Sequence, residues 1–556
     1  MKQKSKLTAY VVREPSNRIP SNHFLSWLKE KMPSEIKIHL HHRYYRNLEE
    51  YFSSDNRFLS SFITNDDIRK WEKSTGPILI SAQTGTGKNT FIQRVLLKYA
   101  VEHTTKKRPK DLVLILSNRI ALGRQSKRQF AERVAKYMAN SKHVQRMDEY
   151  YTPEGVDNLY IDMDIVTVCS YHQLFERKLL DRKKFDYIVC DEAHFFTSDA
   201  TFNHNTDEIL KYIISRGNES TRIYMTATMG TVFEPIIREE YAYREDFLKS
   251  MDQEKEAAVN NADFRMLKHN ETTDGNGRYY APEAVDARYQ AMRGNFLPLH
   301  VEFYYTERHY EYIDKITVYH SEKDLAEKVI ASEDNGKWLI FVSTRKFGKT
   351  IQEEIDEKSG APCCKFISAE SKSSMDADER KMYNEIIENE GFSQKVLITT
   401  SVLDNGVNLR SDVRHVAIDA FDRIQFLQMI GRVRIEHGEK LHLYIKEHTN
   451  DSLKSRMKSE VVDLMKRLEL DMRTDSANSK RFNPAYHRLA QTDMDGKKCV
   501  TIEYNTCAVY QLLDAINHKM GIIHQSEPEF FLDFEGSRQN NDLRRRIYQD
   551  YCNEHR

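Results

Sequence analysis

The chain has 556 residues, with 84 Lys+Arg set against 84 Asp+Glu, and 40% of its residues are apolar and 11% aromatic. That length accommodates roughly three to four domains of about 150 residues each, and the apolar content excludes a chain disordered throughout. With zero net charge, a polyanion would have to be held by a local cleft and not by a global field. Only 20 Gly and 12 Pro occur, which excludes collagen-like or linker-dominated architecture. No run of about 18 apolar residues is present, so no membrane-spanning helix is expected, and residues 1–18 carry basic residues without the apolar core of a secretory signal. The seven cysteines (169, 190, 363, 364, 499, 507 and 552) are odd in number and form no C-x-x-C pair. That spacing speaks against a disulfide framework, a zinc ribbon and a four-cysteine iron–sulfur site. The expectation is a multidomain cytoplasmic protein with no membrane attachment.

In chain order, residues 1–70 form an N-terminal extension, mixed and rich in Tyr and His. Its His41-His42-Arg43-Tyr44-Tyr45-Arg46 run reads as a solvated, partly helical surface in preference to a phosphate or base contact. Residues 71–232 alternate short apolar strands with helical stretches, the strands falling at 78–80, 111–117, 164–170, 187–192 and 223–228. Residues 233–315 are charged and Tyr-rich, broken at Asp274-Gly275-Asn276-Gly277, and read as an insert that ends in strand-like segments. Residues 316–450 repeat the alternating pattern, with strands at 338–343, 364–368, 395–401, 415–420 and 440–445. Such alternation predicts an α/β protein with two doubly wound parallel sheets. Residues 451–556 read as mainly helical. Leu453, Met457, Val461, Leu464, Met465 and Leu468 share one helical face, which is core and not a binding groove. Arg544-Arg545-Arg546 reads as a solvated helix end.

Ser81 to Thr90, SAQTGTGKNT, follows the strand at 78–80 and opens a helix whose apolar residues are Phe91, Ile92, Val95, Leu96 and Tyr99. Strand, glycine loop and helix in that order are what a phosphate loop requires. Gly85 and Gly87 let successive backbone N–H groups of Gly85, Thr86, Gly87, Lys88, Asn89 and Thr90 turn toward one centre, and the helix start adds a favourable dipole. Lys88 reaches the outer phosphates as a point charge. The position after the lysine is normally Ser or Thr, whose hydroxyl binds Mg²⁺, and here it is Asn89. Either the Asn89 amide oxygen ligates the cation or the metal is held through water. The alternative reading, a glycine turn that binds nothing, loses ground to the complete strand–loop–helix context.

Phe185 to Cys190 reads as a buried strand with Asp191-Glu192-Ala193-His194 at its carboxyl end, where open α/β sheets bind ligands. Two adjacent carboxylates there can divide the work. Asp191 would hold Mg²⁺ as a Walker B acid, and Glu192 would orient and deprotonate an attacking water. Four residues alone are also compatible with an exposed acidic turn, and the upstream phosphate loop decides for the catalytic reading.

With both motifs in place, the chain resembles a superfamily 2 helicase of the DEAD/DEAH-box type over roughly 75–232 and 330–450. Thr226-Ala227-Thr228 looks like motif III. Leu116 to Gln125, with Arg119 and Gln125, looks like motif Ia, and Val168 to Gln173 lies where motif Ib or Ic falls. Ile340 to Arg345 looks like motif IV, Thr399 to Asn408 like motif V, and Gln428 to Arg434 like motif VI. The resemblance implies two RecA-like lobes with ATP and Mg²⁺ in the cleft between them and nucleic acid across both. It assigns strand contacts to Arg119, Gln125, Thr344, Arg345 and Thr400, nucleotide contact to Gly406, and catalytic roles to Gln428, Arg432 and Arg434. The family form of motif VI has arginines four and seven residues after the glutamine. Arg432 fits the first place, Ile435 occupies the second, and Arg434 stands one residue early. Either Arg434 serves from a shifted backbone or Arg432 acts alone. The phosphate loop, the 117–125 segment and Gln428–Arg434 are similar to those of helicases from bacterial phages and mobile elements, which implies DNA over RNA. The expected function is an ATP-driven helicase or translocase. The other readings are a slow ATP-binding switch or adaptor, and a motor serving a separate nuclease or a replication or defence partner.

Overall fold

Short continuous apolar runs form strands buried on both faces, as parallel sheets demand. In the first half of the chain the strands are β1 (Ile36–Arg43), β2 (Ile78–Ser81), β3 (Val113–Leu116), β4 (Ile161–Asp162), β5 (Val166–Cys169), β6 (Tyr187–Asp191) and β7 (Thr221–Thr226). They are followed by β8 (Thr272–Thr273), β9 (Tyr279–Tyr280) and β10 (Leu299–Thr306). The second half adds β11 (Ile313–Tyr319), β12 (Lys337–Phe341), β13 (Cys364–Ile367), β14 (Val396–Thr399), β15 (Val413–Ile418), β16 (Leu441–Lys446), β17 (Tyr486–Thr492) and β18 (Lys498–Tyr504). These come from a computed structural model that describes residues 36–43, 58–83, 85–105, 110–117, 161–162, 165–201, 203, 205–260, 272–273, 279–280, 297–306, 312–368, 377–389, 391–400, 409, 412–420, 423–433, 435, 438–447, 486–492, 498–505, 507–508 and 511.

Two sheets carry the molecule. The first has eight strands in the order β1-β10-β2-β7-β6-β3-β5-β4, parallel throughout except that β4 runs antiparallel to β5. The second has six parallel strands in the order β11-β16-β15-β12-β14-β13. Each is covered on both faces by helices. Ile78, Ile80, Val113, Ile115, Val189 and Met225 pack with Trp71, Phe91 and Leu97 on one side of the first sheet. Leu79, Leu114, Ile188 and Tyr224 pack with Ile209, Ile213 and Ile236 on the other. These are tandem RecA-like domains, the doubly wound α/β class expected from sequence.

Two segments of the first domain differ from their sequence readings, and the charged insert takes on a definite structure. Residues 36–43, expected within a solvated and partly helical surface, form the edge strand β1. The reason is a period of two: Ile36, Ile38 and Leu40 pack on the core while Lys37, His39 and His42 face solvent. Strand-like residues 301–305, read as the end of an insert, lie in β10 inside the first sheet, between β1 and β2. The charged stretch after residue 232 begins as the helix Phe233–Asn260. It is anchored on the first domain by a buried fork: Arg222 Nε and Nη2 each donate at 2.7 Å to the two oxygens of Glu240.

In the tail, expected to be mainly helical, the strands β17 and β18 form an antiparallel ladder. Alternating residues and β-branched Val500, Thr501 and Ile502, with Asp495-Gly496 between the strands, favour a hairpin over a helix. Cys507 and Ala508 are buried in the first domain's core, and Asn505 Nδ2 donates to Thr206 Oγ1 at 3.3 Å. The apolar stripe from Leu453 to Leu468 and Arg544–Arg546 lie outside the described residues. Among the described residues no helix is long and apolar enough to cross a membrane.

The second domain tolerates little added bulk where the helix Arg345–Ser359 crosses β13. A Cβ on Gly348 would sit 2.4 Å from the Phe366 ring. Gly348→Ala is therefore expected to cost about 1–3 kcal/mol through overpacking, read as a lower denaturation midpoint with unchanged slope in a chemical melt.

Candidate active site

The strand order puts three carboxyl ends side by side. β7 lies between β2 and β6, with Ser81 in register with Thr226 and Asp191 with Met225. The loop after β2 and the acidic box after β6 therefore leave the sheet roughly 10 Å apart, two strand spacings, with Thr226-Ala227-Thr228 between them.

The loop after β2 is curled by two glycines at φ +96° (Gly85) and +76° (Gly87), a region open to glycine at little cost. Gly87 precedes the helical run that starts at Lys88, passes through a π-turn at Ile92–Leu96 and ends at His103. The loop is braced from within, since Thr86 Oγ1 donates to Gln83 O at 2.7 Å. It is also braced from the N-terminal side. Leu59 N donates to Thr86 O at 2.9 Å, and the Phe58 ring lies where a Cβ on Gly87 would meet it at 3.1 Å. Lys88 Nζ arches over the loop to donate to Ala82 O at 3.2 Å. Asn89 and Thr90 are half-buried in the first helical turn.

At the end of β6, Asp191 is buried and its backbone carbonyl accepts from Tyr171 Oη at 2.9 Å. Tyr171 is itself fully buried and stacked on Phe195 at 4.4 Å. Burial holds its hydroxyl proton on to far above the ordinary range, with the nearby Asp191 and Glu192 carboxylates adding to the effect. It therefore acts as a fixed donor. Glu192 takes φ +52°, a left-handed conformation that costs a non-glycine residue on the order of 1–3 kcal/mol. That turn is held by Ala193 N donating to Met225 O at 2.9 Å. The twist sets the half-buried Glu192 apart from buried Asp191, so the two carboxylates occupy different environments.

His194 was read from sequence only as the last letter of the acidic box, and the structure makes it a connector. Gln428 Nε2 lies 3.1 Å from His194 Nε2, and His194 Nδ1 lies 2.9 Å from Thr226 Oγ1. With the amide donating to Nε2, the ring proton sits on Nδ1, directed at Thr226 and, at 3.4 Å, at Glu192 Oε2. Thr226 Oγ1 in turn accepts from Thr228 N at 3.1 Å. One polar chain thus runs from the second domain through the acidic box to the β7 loop. The sequence carries a signal for both, a histidine closing the acidic box and a glutamine opening the Gln428–Arg434 motif within the helix Arg423–Ile430, but the pairing depends on how the two domains meet.

Arg432 is buried and its Nε donates to the Gln428 carbonyl at 3.1 Å. The Arg432 carbonyl accepts from Leu409 N at 2.8 Å, joining this segment to the chain after β14. Ile435 packs against the second domain's core, so the place where the family has a second arginine is filled by an apolar contact. Thr344 caps the helix Arg345–Ser359 by accepting from Phe347 N at 3.2 Å. Arg345 Nε donates to Ser368 O at 3.0 Å, and Thr400 N to Ile367 O at 3.3 Å. Thr344 and Arg345 are exposed and Thr400 half-exposed, all at the carboxyl end of the second sheet. Arg119, Gln125, Gly406 and Arg434 lie outside the described residues.

The residue types suit a hard divalent cation, since the Asp191 carboxylate, the Asn89 amide and the Thr90 hydroxyl all offer oxygen at the carboxyl-end side of the first sheet, beyond β6 and β2. Chemically, the arrangement can cradle a phosphate chain on backbone N–H groups and Lys88, neutralise it with a cation, and present Glu192 to a water.

Residues 42–231 match the family model for the type III restriction enzyme res subunit, and residues 321–436 match that for the helicase conserved C-terminal domain. No curated protein sequence matches the chain. Among solved structures, S. cerevisiae Dbp5 bound to RNA and ADP BeF3 is similar at 16% identity and a TM-score of 0.40, over 68% of this chain and 81% of that one. The Mycobacterium smegmatis helicase Lhr bound to ssDNA and AMP-PNP is similar at 13% identity and a TM-score of 0.40, over 70% of this chain and 46% of that one. The DEAD-box helicase Mss116 bound to ssRNA and UDP-BeF is similar at 10% identity and a TM-score of 0.43, over 77% and 87%.

Proposed function

We propose that this chain, which carries the paired ATPase domains of a superfamily 2 helicase, couples ATP hydrolysis to movement along a nucleic-acid strand, with DNA preferred over RNA. The observation that carries this reading is the polar chain Thr226–His194–Gln428, which joins the acidic box of one domain to the second domain. A hydrolysis site wired in this way can convert the presence or loss of a phosphate into a change of domain angle. Lys88 and the loop N–H groups would bind the phosphates, and Glu192 would take the proton of the attacking water. Arg432 would turn from its own helix carbonyl to the leaving phosphoryl group as the cleft closes. Asp191, with Asn89 or Thr90, would hold Mg²⁺, which supplies charge neutralisation on the phosphates. Thr344, Arg345 and Thr400 would grip the strand backbone from the second domain, and Arg119 and Gln125 from the first. The DNA preference rests on the likeness of the phosphate loop, Ser117–Gln125 and Gln428–Arg434 to phage and mobile-element helicases.

Phosphate release is the test, measured with matched DNA and RNA single strands at one fixed salt concentration, since salt alone moves such affinities by orders of magnitude. Stimulation by DNA well above that by RNA is the expected result. Turnover indifferent to either strand rejects a motor. A second reading has its own observation: Ile435 is packed in the core, so Arg432 can be the single finger. That favours a slow ATP-dependent switch or adaptor in a larger nucleic-acid complex, recognised by tight ATP and strand binding with negligible release.

Gln428→Ala removes the donor to His194 without touching the phosphate loop. It is expected to leave ATP binding intact and to lower strand-stimulated turnover by about 5–150-fold, the usual size of a coupling between sites. Parallel nucleotide-binding and steady-state assays separate the two effects.

A further inference from the structure

Where β13 begins, two adjacent cysteines converge in a way a regular strand does not allow. In a pleated strand, neighbouring side chains point to opposite faces. Here Cys363 Sγ and Cys364 Sγ lie 3.9 Å apart. The convergence is fixed by one side chain, since Asp356 Oδ1 accepts the N–H of both Cys363 (2.9 Å) and Cys364 (3.1 Å). Gln352 Nε2, one turn back on the same helix, lies 3.4 Å from the Cys364 carbonyl. One carboxylate oxygen of Asp356 and the two sulfurs are all within 4.8 Å of one another. Cys363 and Asp356 are half-buried, so the group is open to solvent on one side, while Cys364 is buried.

We infer that Cys363, Cys364 and Asp356 form a binding site for a thiophilic divalent cation such as Zn²⁺ or Cd²⁺. Two thiolates on one tetrahedral zinc, each at about 2.3 Å, stand about 3.8 Å apart, which the observed sulfur separation already matches. Two sulfurs and one carboxylate oxygen leave the fourth position to water. Binding displaces one proton from each thiol to the buffer, and no oxidant or reductant is needed. The site lies outside the nucleotide cleft, and its role would be a clamp. The helix Arg345–Ser359 is tied to the far end of β13 by Arg345 and Ser368, and the cation would lock its other end. The helix that begins with the proposed strand-gripping residues would thereby be fixed at both ends.

The full-length chain, reduced and stripped of metal, is titrated with Cd²⁺ in excess Mg²⁺, a hard ion that does not compete for thiolates. The expected result is a thiolate-to-cadmium absorption band that saturates at one equivalent. In Cys363→Ser and in Cys364→Ser the band should halve and affinity should fall at least about tenfold. Zn²⁺ should raise the melting temperature of the wild type and leave that of Cys363→Ser unmoved. Because Cys364 is buried, its variant is checked for folding, and Cys363→Ala serves as a second half-exposed substitution. An absent band in the wild type, or titrations of Cys363→Ser and Cys363→Ala that superimpose on it, overturn the assignment.

Discussion

Lys88→Ala is expected to reduce strand-stimulated ATP turnover by about 10²–10³-fold, the loss that follows removal of one fixed cationic or hydrogen-bonding group from developing charge. The fold should survive the change. The loop keeps its Thr86–Gln83 and Leu59–Thr86 hydrogen bonds, and only the bond from Nζ to Ala82 O disappears. Thermal melts of the variant should therefore overlay those of the wild type within about 0.5 kcal/mol. A variant that melts normally yet hydrolyses ATP at the wild-type rate would remove Lys88 from the phosphate site.

The largest expected effect on stability lies elsewhere, in the fork between Arg222 and Glu240. Glu240 is fully buried and also accepts from Tyr224 Oη at 3.2 Å. A second guanidinium, Arg244, stands 3.9 Å from the same carboxylate. Burial first, and then the neighbouring Arg222 charge, push Arg244 down to about 10, partly offset by Glu240. Glu240→Ala leaves two buried guanidinium groups facing each other without a counter-charge. The expected cost is about 3–5 kcal/mol, measured by chemical denaturation. The triple change Arg222→Met, Glu240→Leu and Arg244→Met, which strands no charge, should cost much less than Glu240→Ala, because the penalty belongs to the stranded charge and not to the lost bond.

Sequence and structure agree where short-range rules suffice. The glycine loop, the acidic box and the buried strands obey local patterns: positive φ at Gly85 and Gly87, and apolar runs that need cover on both faces. What escaped was set by distance along the chain. The run at 36–43 alternates as any edge strand does, but its His and Tyr content reads as a solvated, partly helical surface, and its partner β10 lies far downstream. The stretch after residue 232 is charged and reads only as an insert, and its helix Phe233–Asn260 and the burial of Glu240 against Arg222 depend on packing that no local pattern contains. His194 and Gln428 were each visible as motif members, but their hydrogen bond needed the two domains placed together. Cys363 and Cys364 fit no C-x-x-C spacing, because that rule presumes a knuckle and not a strand start gripped by Asp356.

The position of β10 bears on how force passes through the molecule. It is the last strand of the first sheet, it runs directly beside β2 with Tyr305 in register with Ser81, and residues 307–312 alone connect it to β11 of the second sheet. A link that short spans at most about 3.5 Å per residue, so any swing of the second domain tugs on the rung next to the nucleotide loop. Because β1 and β2 flank β10 in parallel, such a pull is shared as shear over many rungs at once and cannot unzip them one by one. The tether is thus fastened inside the first sheet and not at its rim, and in the proposed motor a swing of the second domain would load the strand beside the phosphate loop.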